Sequence, residues 1–349
     1  VERTLIGSNV YKNRHGYFHL RLGEVGAPRD FVDAGHSRPL RALRLRGDLK
    51  FAVSSAMDGY INISSPREQQ VLLRFRSPTC AAWSCDWDPS TPFRFCAGMQ
   101  DGTVRVYDIR NSRDYVSRTK VSDGKIGKPV VGVRYLDVSG NRIAAADLSG
   151  ISVLMASTTT PALRASTNRW HGACRNLYLM SPGGALFTCT LDTANNRGVF
   201  SSLTASMAPK QPSQLWATRW SYSAPIEQCM RQPAMSCTPL FLQYDKRTVS
   251  QDSSIFAAID PSLNVIRAYN GSETGRGVGS IEMEALCSGQ DIDQQSPFVA
   301  LHSWRCVQGD SPSKAGSERN NSRAFLVAAR RNGRVTIASA SATTTALAQ

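Results

Sequence analysis

The chain has 349 residues, of which 41% are hydrophobic and 19% charged, and its formal net charge at pH 7 is +14. This composition excludes an intrinsically disordered protein, because there is enough apolar material for a core. No run of 18 apolar residues occurs, which excludes a membrane-spanning helix. The positive charge favours acidic partners, either nucleic acid or protein, although solubility alone also accounts for it.

The first complete repeat covers residues 39–78, where PLRALRL, FAVSSAM, YINIS and QQVLLRF predict four strands. Asp58-Gly59 marks the turn between the second and third strands. Gly35-His36 lies just upstream, where WD repeats usually carry Gly-His. In that repeat class the His hydrogen-bonds a Ser or Thr on the second strand, which connects to a turn Asp. Ser55 and Asp58 are therefore the expected partners of His36, with Ser64 in the usual place of Trp.

The clearest repeat covers residues 83–111, WSCDWDPSTPFRFCAGMQDGTVRVYDIRN. Three predicted strands are separated by a polar turn and by Asp101-Gly102, and the third ends in Tyr107-Asp108, in the place of a Trp-Asp dipeptide. Asp58 and Asp101 are 43 positions apart, within the roughly 40–45 residues expected for one blade of a WD-repeat propeller.

The same pattern of short apolar strands and polar turns recurs at 128–157, 174–203, 239–270 and 297–340. These repeats predict an all-β fold, a single WD-repeat β-propeller over 1–349. Residues 1–34 contain an incomplete set of strands, which we interpret as an N-terminal blade completed by the C-terminal end, closing a ring of seven blades. Six blades with an N-terminal extension is the alternative. Polar stretches at 201–214 and 308–323 are expected to be loop insertions.

Signatures of catalysis and of metal binding are missing from the sequence. No nucleophile elbow, phosphate loop or zinc-protease helix occurs, so no catalytic residue is predicted in this chain. Asp86 and Asp88 form either a carboxylate pair or, as we favour, a turn that begins at Asp88. The Gly-x-Gly-x-Gly run at 275–279 lacks a strand–helix context. The nine cysteines form no Cys-x-x-Cys pair and are expected to be buried thiols of an intracellular protein.

Two sets of residues are candidates for partner binding. Aligned first strands place Arg41, Trp83 and Val131 in one column, with Arg175 and Val299 as further members. First strands begin near one mouth of a propeller, and Arg and Trp dominate protein-binding hot spots. The alternative is that Trp83 is buried between blades. The second set is a basic run that forms either half of a site for an acidic partner or a solvated strand edge; its members are Arg38, Arg41, Arg44, Arg46 and Lys50.

The segment from His36 to Val116 resembles the C-terminal propeller of the RING finger and WD repeat domain E3 ubiquitin ligases, which act in replication stress and interstrand-crosslink repair. The residues that carry the resemblance are His36-Ser37, Val53 to Asp58, Trp83-Ser84-Cys85-x-Trp87, Ala97-Gly98, Asp101-Gly102 and Val106 to Asn111. The combination of WSC-x-W with VYD-[IV]-RN is the most specific part.

This resemblance implies a nuclear, substrate-recruiting module for DNA repair. In such ligases a zinc-binding RING and a coiled coil lie upstream and engage the ubiquitin-conjugating enzyme, while the propeller selects the target, notably the replication protein A complex. Since the chain starts at Val1 and has no RING pattern, we expect those parts to be absent from it, together with the zinc. Contact with nucleic acid is expected to be indirect at most, because no RNA-binding aromatic motif occurs. A non-enzymatic scaffold for another protein complex is the alternative function.

Overall fold

The computed structural model divides the chain into two compact units, which are described separately. Unit 1 comprises Val1–Thr190 and Thr204–Ala217, and unit 2 comprises Leu191–Leu203 and Thr218–Gln349. The structure describes residues 4–21, 30–77, 80–111, 114–121, 127–156, 163–179, 185–192, 195, 197–205, 216–225, 237–240, 254–260, 265–271, 280–282, 298–306, 323–330 and 335–341.

All regular secondary structure in these described stretches is β-strand. The first fifteen strands are β1 Thr4–Tyr11, β2 Arg14–Arg21, β3 Asp30–His36, β4 Leu40–Leu45, β5 Ala52–Ala56, β6 Tyr60–Ser65, β7 Gln70–Arg76, β8 Ala82–Trp87, β9 Arg94–Met99, β10 Thr103–Asp108, β11 Ser117–Lys120, β12 Val130–Tyr135, β13 Arg142–Asp147, β14 Gly150–Ala156 and β15 Leu163–His171. The remaining strands are β16 Ala173–Leu179, β17 Ala185–Asp192, β18 Arg197–Ala205, β19 Trp216–Pro225, β20 Cys237–Leu240, β21 Ser254–Asp260, β22 Val265–Gly271, β23 Ser280–Glu282, β24 Phe298–Cys306, β25 Arg323–Arg330 and β26 Val335–Ser341.

Within unit 1 the strands form antiparallel meanders in chain order. Three sheets have four strands each, β4 to β7, β8 to β11 and β12 to β15, and β1 to β3 form a three-stranded sheet. Unit 2 contains the four-stranded sheet β20 to β23 and the three-stranded sheet β24 to β26. Each four-stranded meander has the strand order expected of a propeller blade.

Within the described residues, the strands that the sequence predicts from apolar segments are present, whereas the sequence does not predict the fourth strands of most sheets. β11 is short and polar, and its side chains are mostly exposed or half-buried. The predicted insertion 201–214 begins too early, because β18 continues to Ala205, and residues 206–214 lie outside the described residues. So do residues 308–322 of the second predicted insertion and the glycine run at 275–279. The completion of residues 1–34 by the C-terminal end, and the number of blades, remain predictions.

An aromatic core lies between the β4–β7 and β8–β11 sheets. Phe95 is completely buried and stacks on Tyr107, with ring centroids 5.0 Å apart and an interplanar angle of 9°. Phe75 meets both rings edge-on, at 5.4 and 5.2 Å. Burial of each such side chain contributes roughly 1.5–3 kcal/mol, so this cluster fixes the packing of the two sheets.

The cysteine side chains that the structure describes are all buried; they are those of Cys80, Cys85, Cys96, Cys174 and Cys189. No helix in the described residues is long and apolar enough to cross a membrane. Among the same residues, no three His, Cys, Asp or Glu side chains lie close enough to share a metal ion.

Candidate partner-binding surface

The column of residues predicted from aligned first strands has a common backbone feature. β4, β8 and β12 each carry a register shift, between Leu40 and Ala42, Ala82 and Ser84, and Val130 and Gly132. The residues skipped by these shifts are Arg41, Trp83 and Val131. β24 of unit 2 has the same irregularity, which skips Val299. A β-bulge redirects the side chain of its extra residue, so the column is a repeated structural position.

In unit 1 the bulged ends of the first strands lie at the same end of their sheets. β4 contacts β8, and β8 contacts β12. Arg41 lies against Trp83, whereas Trp87, four residues later, donates its indole N–H to the Arg44 carbonyl over 3.0 Å. The two strands therefore run in the same direction, and their beginnings are adjacent.

Arg41 and Trp83 form a cation–π pair at this end. The guanidinium carbon of Arg41 lies 4.5 Å from the centroid of the Trp83 ring. Arg41 is exposed and Trp83 is half-buried. The Trp83 indole is therefore neither fully buried between blades nor freely exposed. One of its faces is covered by an arginine that solvent reaches.

The signature segment Trp83 to Trp87 shows why Trp83 differs from its neighbours. Ser84 donates to the Val130 carbonyl over 2.9 Å, and Cys85 donates to the Val53 carbonyl over 3.7 Å. Asp86 accepts from the Tyr135 backbone N–H over 3.0 Å, and Trp87 donates to Arg44. Each of these four side chains connects its strand to a neighbouring sheet. The indole N–H of Trp83 is buried and has no hydrogen-bond partner among the described residues.

An open cleft adjoins this pair. It has a volume of about 470 Å³ and is lined by Arg38, Pro39, Leu40, Arg41 and Met57. Met57 is exposed and gives the cleft an apolar side that solvent reaches. The cleft therefore combines two guanidinium groups with an apolar wall.

The wall of the cleft is held by a network centred on Asp58. His36 Nδ1 lies 2.9 Å from Asp58 Oδ2, and His36 Nε2 lies 3.0 Å from the Ser54 hydroxyl. The same carboxylate accepts the backbone N–H groups of Ser37 and Tyr60, at 3.0 and 3.1 Å. Burial is the largest cause of a lowered pKa at His36, against the opposing effect of Asp58, so the imidazole is neutral at physiological pH.

One expected partner of His36 is corrected by the structure. The hydroxyl that meets His36 belongs to Ser54, and the predicted Ser55 is the next residue along β5. Successive side chains of a strand point to opposite faces, so only one of the two serines faces the histidine. Ser64, in the usual Trp position, instead bonds the Tyr17 hydroxyl over 2.8 Å.

The β8–β11 sheet has comparable turns. Asp101 accepts from the Thr103 backbone N–H and hydroxyl, at 3.1 and 2.5 Å, and Gly102 supplies the positive φ of 78°. Asp108, beside the buried Tyr107, is bound by the Arg110 guanidinium at 2.6 and 2.9 Å. The hydrogen bond from Arg110 lowers the pKa of Asp108. These residues hold the sheet together.

Comparison with known proteins identifies the family. The family model of the E3 ubiquitin-protein ligase RFWD3 WD40 domain matches residues 26–241, which is more than half of the chain. The chain belongs to this family. The RFWD3 family resemblance inferred from the WSC-x-W and VYD-[IV]-RN motifs is thereby confirmed, and the chain is a WD-repeat protein-interaction domain of that ligase family.

Similarity to other proteins confirms the fold. The WD40 domain of coronin from Toxoplasma gondii superposes with a TM-score of 0.59 at 12% identity, covering 97% of this chain and 78% of coronin's. This likeness shows a WD-repeat β-propeller fold. Eukaryotic translation initiation factor 3 subunit I from Schizosaccharomyces pombe is 28% identical over 85 residues, which are 24% of this chain and 26% of the factor. The match therefore spans about a quarter of that relative.

The members of the basic run, the second candidate for partner binding, lie in two different places in this RFWD3-family domain. Arg38 and Arg41 lie at the cleft, whereas Arg44, at the other end of β4, faces Asp86 at 4.0 Å. Arg46 is bound to Asp48 and packs over the Phe51 ring at 4.3 Å. Lys50 is exposed in the following turn. Arg175 is the third residue of β16, and its side chain lies outside the described residues.

Asp86 and Asp88 have different roles. Asp88 accepts from the backbone N–H groups of Ser90 and Thr91, at 2.8 and 3.1 Å, which is the turn that the sequence favoured over a carboxylate pair. Burial raises the pKa of Asp86 to about 6, despite the opposing effect of Arg44. Asp86 is thus a partly buried carboxylate that joins two sheets through its hydrogen bond with the Tyr135 N–H.

Proposed function

We propose that this chain is the substrate-recruiting domain of a RING-type E3 ubiquitin ligase in the DNA damage response, and that its partner is a replication or repair protein. The resemblance of the signature blade to crosslink-repair ligases makes the replication protein A complex the first candidate. The observation that carries the proposal is the exposed Arg41 stacked on Trp83. Among the described contacts of the segment Trp83 to Trp87, the other four side chains hydrogen-bond a neighbouring sheet, whereas the Trp83 indole N–H has no hydrogen-bond partner.

The domain contributes proximity and performs no bond chemistry. Antiparallel sheets with buried cores lose little conformational entropy when a partner binds. A few side chains at the bulged ends of the first strands can then supply useful affinity. Holding the target beside a tethered conjugating enzyme raises the effective concentration of its lysines.

The rest of the ligase is part of the same proposal. A RING with its zinc ions, in a part of the ligase outside this sequence, would bind the ubiquitin-conjugating enzyme, and the site of action would be the nucleus. Each of these expectations follows from the family.

The test is calorimetric titration of this chain with replication protein A, free and loaded on single-stranded DNA. We expect a Kd of about 1 μM or tighter, which corresponds to roughly −8 kcal/mol. Arg41→Gln and Trp83→Phe should each weaken binding by about tenfold, as expected for hot-spot residues. Arg67→Gln is the matched control, because Arg67 is exposed in the turn between β6 and β7, at the opposite end of the same sheet.

Absence of binding in both forms would remove replication protein A as the partner. Binding that Arg41→Gln and Trp83→Phe leave unchanged would move the site away from the bulge column.

A scaffold function in another complex is the second candidate. It is favoured by the similarity to a protein named as a subunit of translation initiation factor 3, since a subunit works by assembly. Co-purification of this chain with a stable multiprotein complex in which no component becomes ubiquitinated would favour the scaffold over the ligase.

A further inference from the structure

Arg38 and Arg41 differ from the other arginines of the same strand and its flanks. Neither makes an ion pair or a side-chain hydrogen bond with any residue in the described part of the chain. At the opposite end of β4, Arg44 faces Asp86 and Arg46 is bound to Asp48. Among the described residues, the arginines at one end of this strand therefore have carboxylate partners, and the two at the other end have none.

The surface between these two cations is apolar. Pro39, Leu40 and Met57 complete the lining of the cleft, and its volume of about 470 Å³ lies in the range of roughly 300–1,000 Å³ that is typical of small-ligand sites. A ligand that was purely anionic would leave this wall uncovered. A ligand that was purely apolar would leave two guanidinium groups without a counter-charge.

The backbone on both sides of the cleft is held by one buried carboxylate. Asp58 connects His36 and Ser37, which precede Arg38, to the turn that follows Met57. The carboxylate is 3% exposed and the His36 side chain is fully buried. A site that is preorganised in this way loses less free energy on binding.

We propose that the cleft lined by Arg38, Arg41 and Met57 binds a peptide segment of a partner protein in which a carboxylate side chain stands next to an apolar one. The proposal rests on the proposed recruitment function and defines the chemistry of its ligand. The carboxylate pairs with the guanidinium groups, and the apolar side chain covers Met57 and Leu40. The net charge of +14 accelerates the approach of such a segment.

The test uses fluorescence anisotropy with three labelled probes: a short peptide of alternating Asp and Leu, its counterpart of alternating Asn and Leu, and an oligothymidylate with as many negative charges as the acidic peptide. We expect the Asp-Leu peptide to bind about tenfold or more tightly than the Asn-Leu peptide. Arg38→Gln and Arg41→Gln should each abolish most of this preference. Met57→Ser should weaken the Asp-Leu peptide without changing the effect of added salt. Arg67→Gln, which removes the same charge at the other end of the sheet, should change nothing.

Equal binding of the Asp-Leu and Asn-Leu peptides would overturn the proposal, as would a preference that survives both arginine variants. Oligothymidylate binding that matches the acidic peptide and depends on Arg41 would replace the peptide with a nucleic acid. The result is separable from the test with replication protein A. Peptide preference without binding of that complex refutes only the named partner, and binding of the complex without peptide preference refutes only this inference.

Discussion

Removal of the Asp58 carboxylate tests whether the network behind the cleft stabilises the fold. Asp58 accepts hydrogen bonds from His36, Ser37 and Tyr60. We expect Asp58→Ala to destabilise the chain strongly and Asp58→Asn to destabilise it less.

The expected loss in the free energy of unfolding depends on which hydrogen-bond donors are left without an acceptor when the carboxylate is removed. The Ser37 N–H is exposed and can bond water, so its loss costs little. The His36 side chain is fully buried and the Tyr60 N–H is partly buried, and a buried donor without a partner costs roughly 1–3 kcal/mol. Asp58→Ala should therefore lower the free energy of unfolding by about 2–5 kcal/mol. Asn keeps one carbonyl for Tyr60, and His36 can change tautomer to accept from the amide, so Asp58→Asn should cost about 1 kcal/mol.

The assay is urea denaturation followed by tryptophan fluorescence. Asp48→Ala is the control, because its carboxylate is 40% exposed and forms a surface pair with Arg46, which is worth roughly 0–1 kcal/mol. The reasoning would be refuted if Asp58→Ala were as stable as Asp48→Ala or more so. It would also be refuted if Asp58→Asn destabilised the chain more than Asp58→Ala.

Three further substitutions test the packing and the charges. Gly98→Ala should lower the free energy of unfolding by about 1–3 kcal/mol, since a Cβ there would lie 2.8 Å from the Val130 carbonyl oxygen. A Cβ at Gly47 meets nothing within 4 Å, so Gly47→Ala should be neutral in the same urea titration, and equal effects of the two changes would contradict the contact. Phe95→Ala should lower the unfolding free energy by about 3–5 kcal/mol, because Phe95 is fully buried; a loss under about 1 kcal/mol would contradict the aromatic core. Asp86→Asn should stabilise the chain by up to about 2 kcal/mol at neutral pH, since the folded pKa is about 6 against an ordinary value of 3.8. The gain should shrink as the pH falls from 6 towards 3.8, because the folded state of the unsubstituted chain then takes up the proton. Urea denaturation at several pH values in this window measures the gain. A gain that grows on acidification would contradict the prediction.

The inner strands could be predicted from sequence because their chemistry is local. Buried segments such as Phe95 to Met99, followed by Asp101-Gly102, show a strand and its turn within a few residues. The outer strand β11, Ser117–Lys120, has no such signal. It pairs with β10 through the backbone, and backbone pairing leaves little trace in the side chains.

The candidate site was predictable in part. The alignment of first strands found Arg41 and Trp83 without knowledge of the bulges that orient them. It could not show that the arginine covers the indole, or that Met57 joins the cleft, because these contacts depend on side-chain conformations in two neighbouring sheets. The sequence could not show that Ser54, and not Ser55, is the hydrogen-bond partner of His36. A shift of one residue exchanges the faces of a strand, and two adjacent serines give no pattern that decides between them.

The central claim is that the partner binds at the bulged ends of the first strands of unit 1. Hydrogen exchange of the backbone amides, measured by mass spectrometry with and without replication protein A, tests it most directly. We predict slower exchange at residues 37–42, 56–60 and 81–85, and unchanged exchange in the turns at 46–51 and 66–69 at the opposite end of the sheets. Protection confined to those opposite turns would contradict the claim.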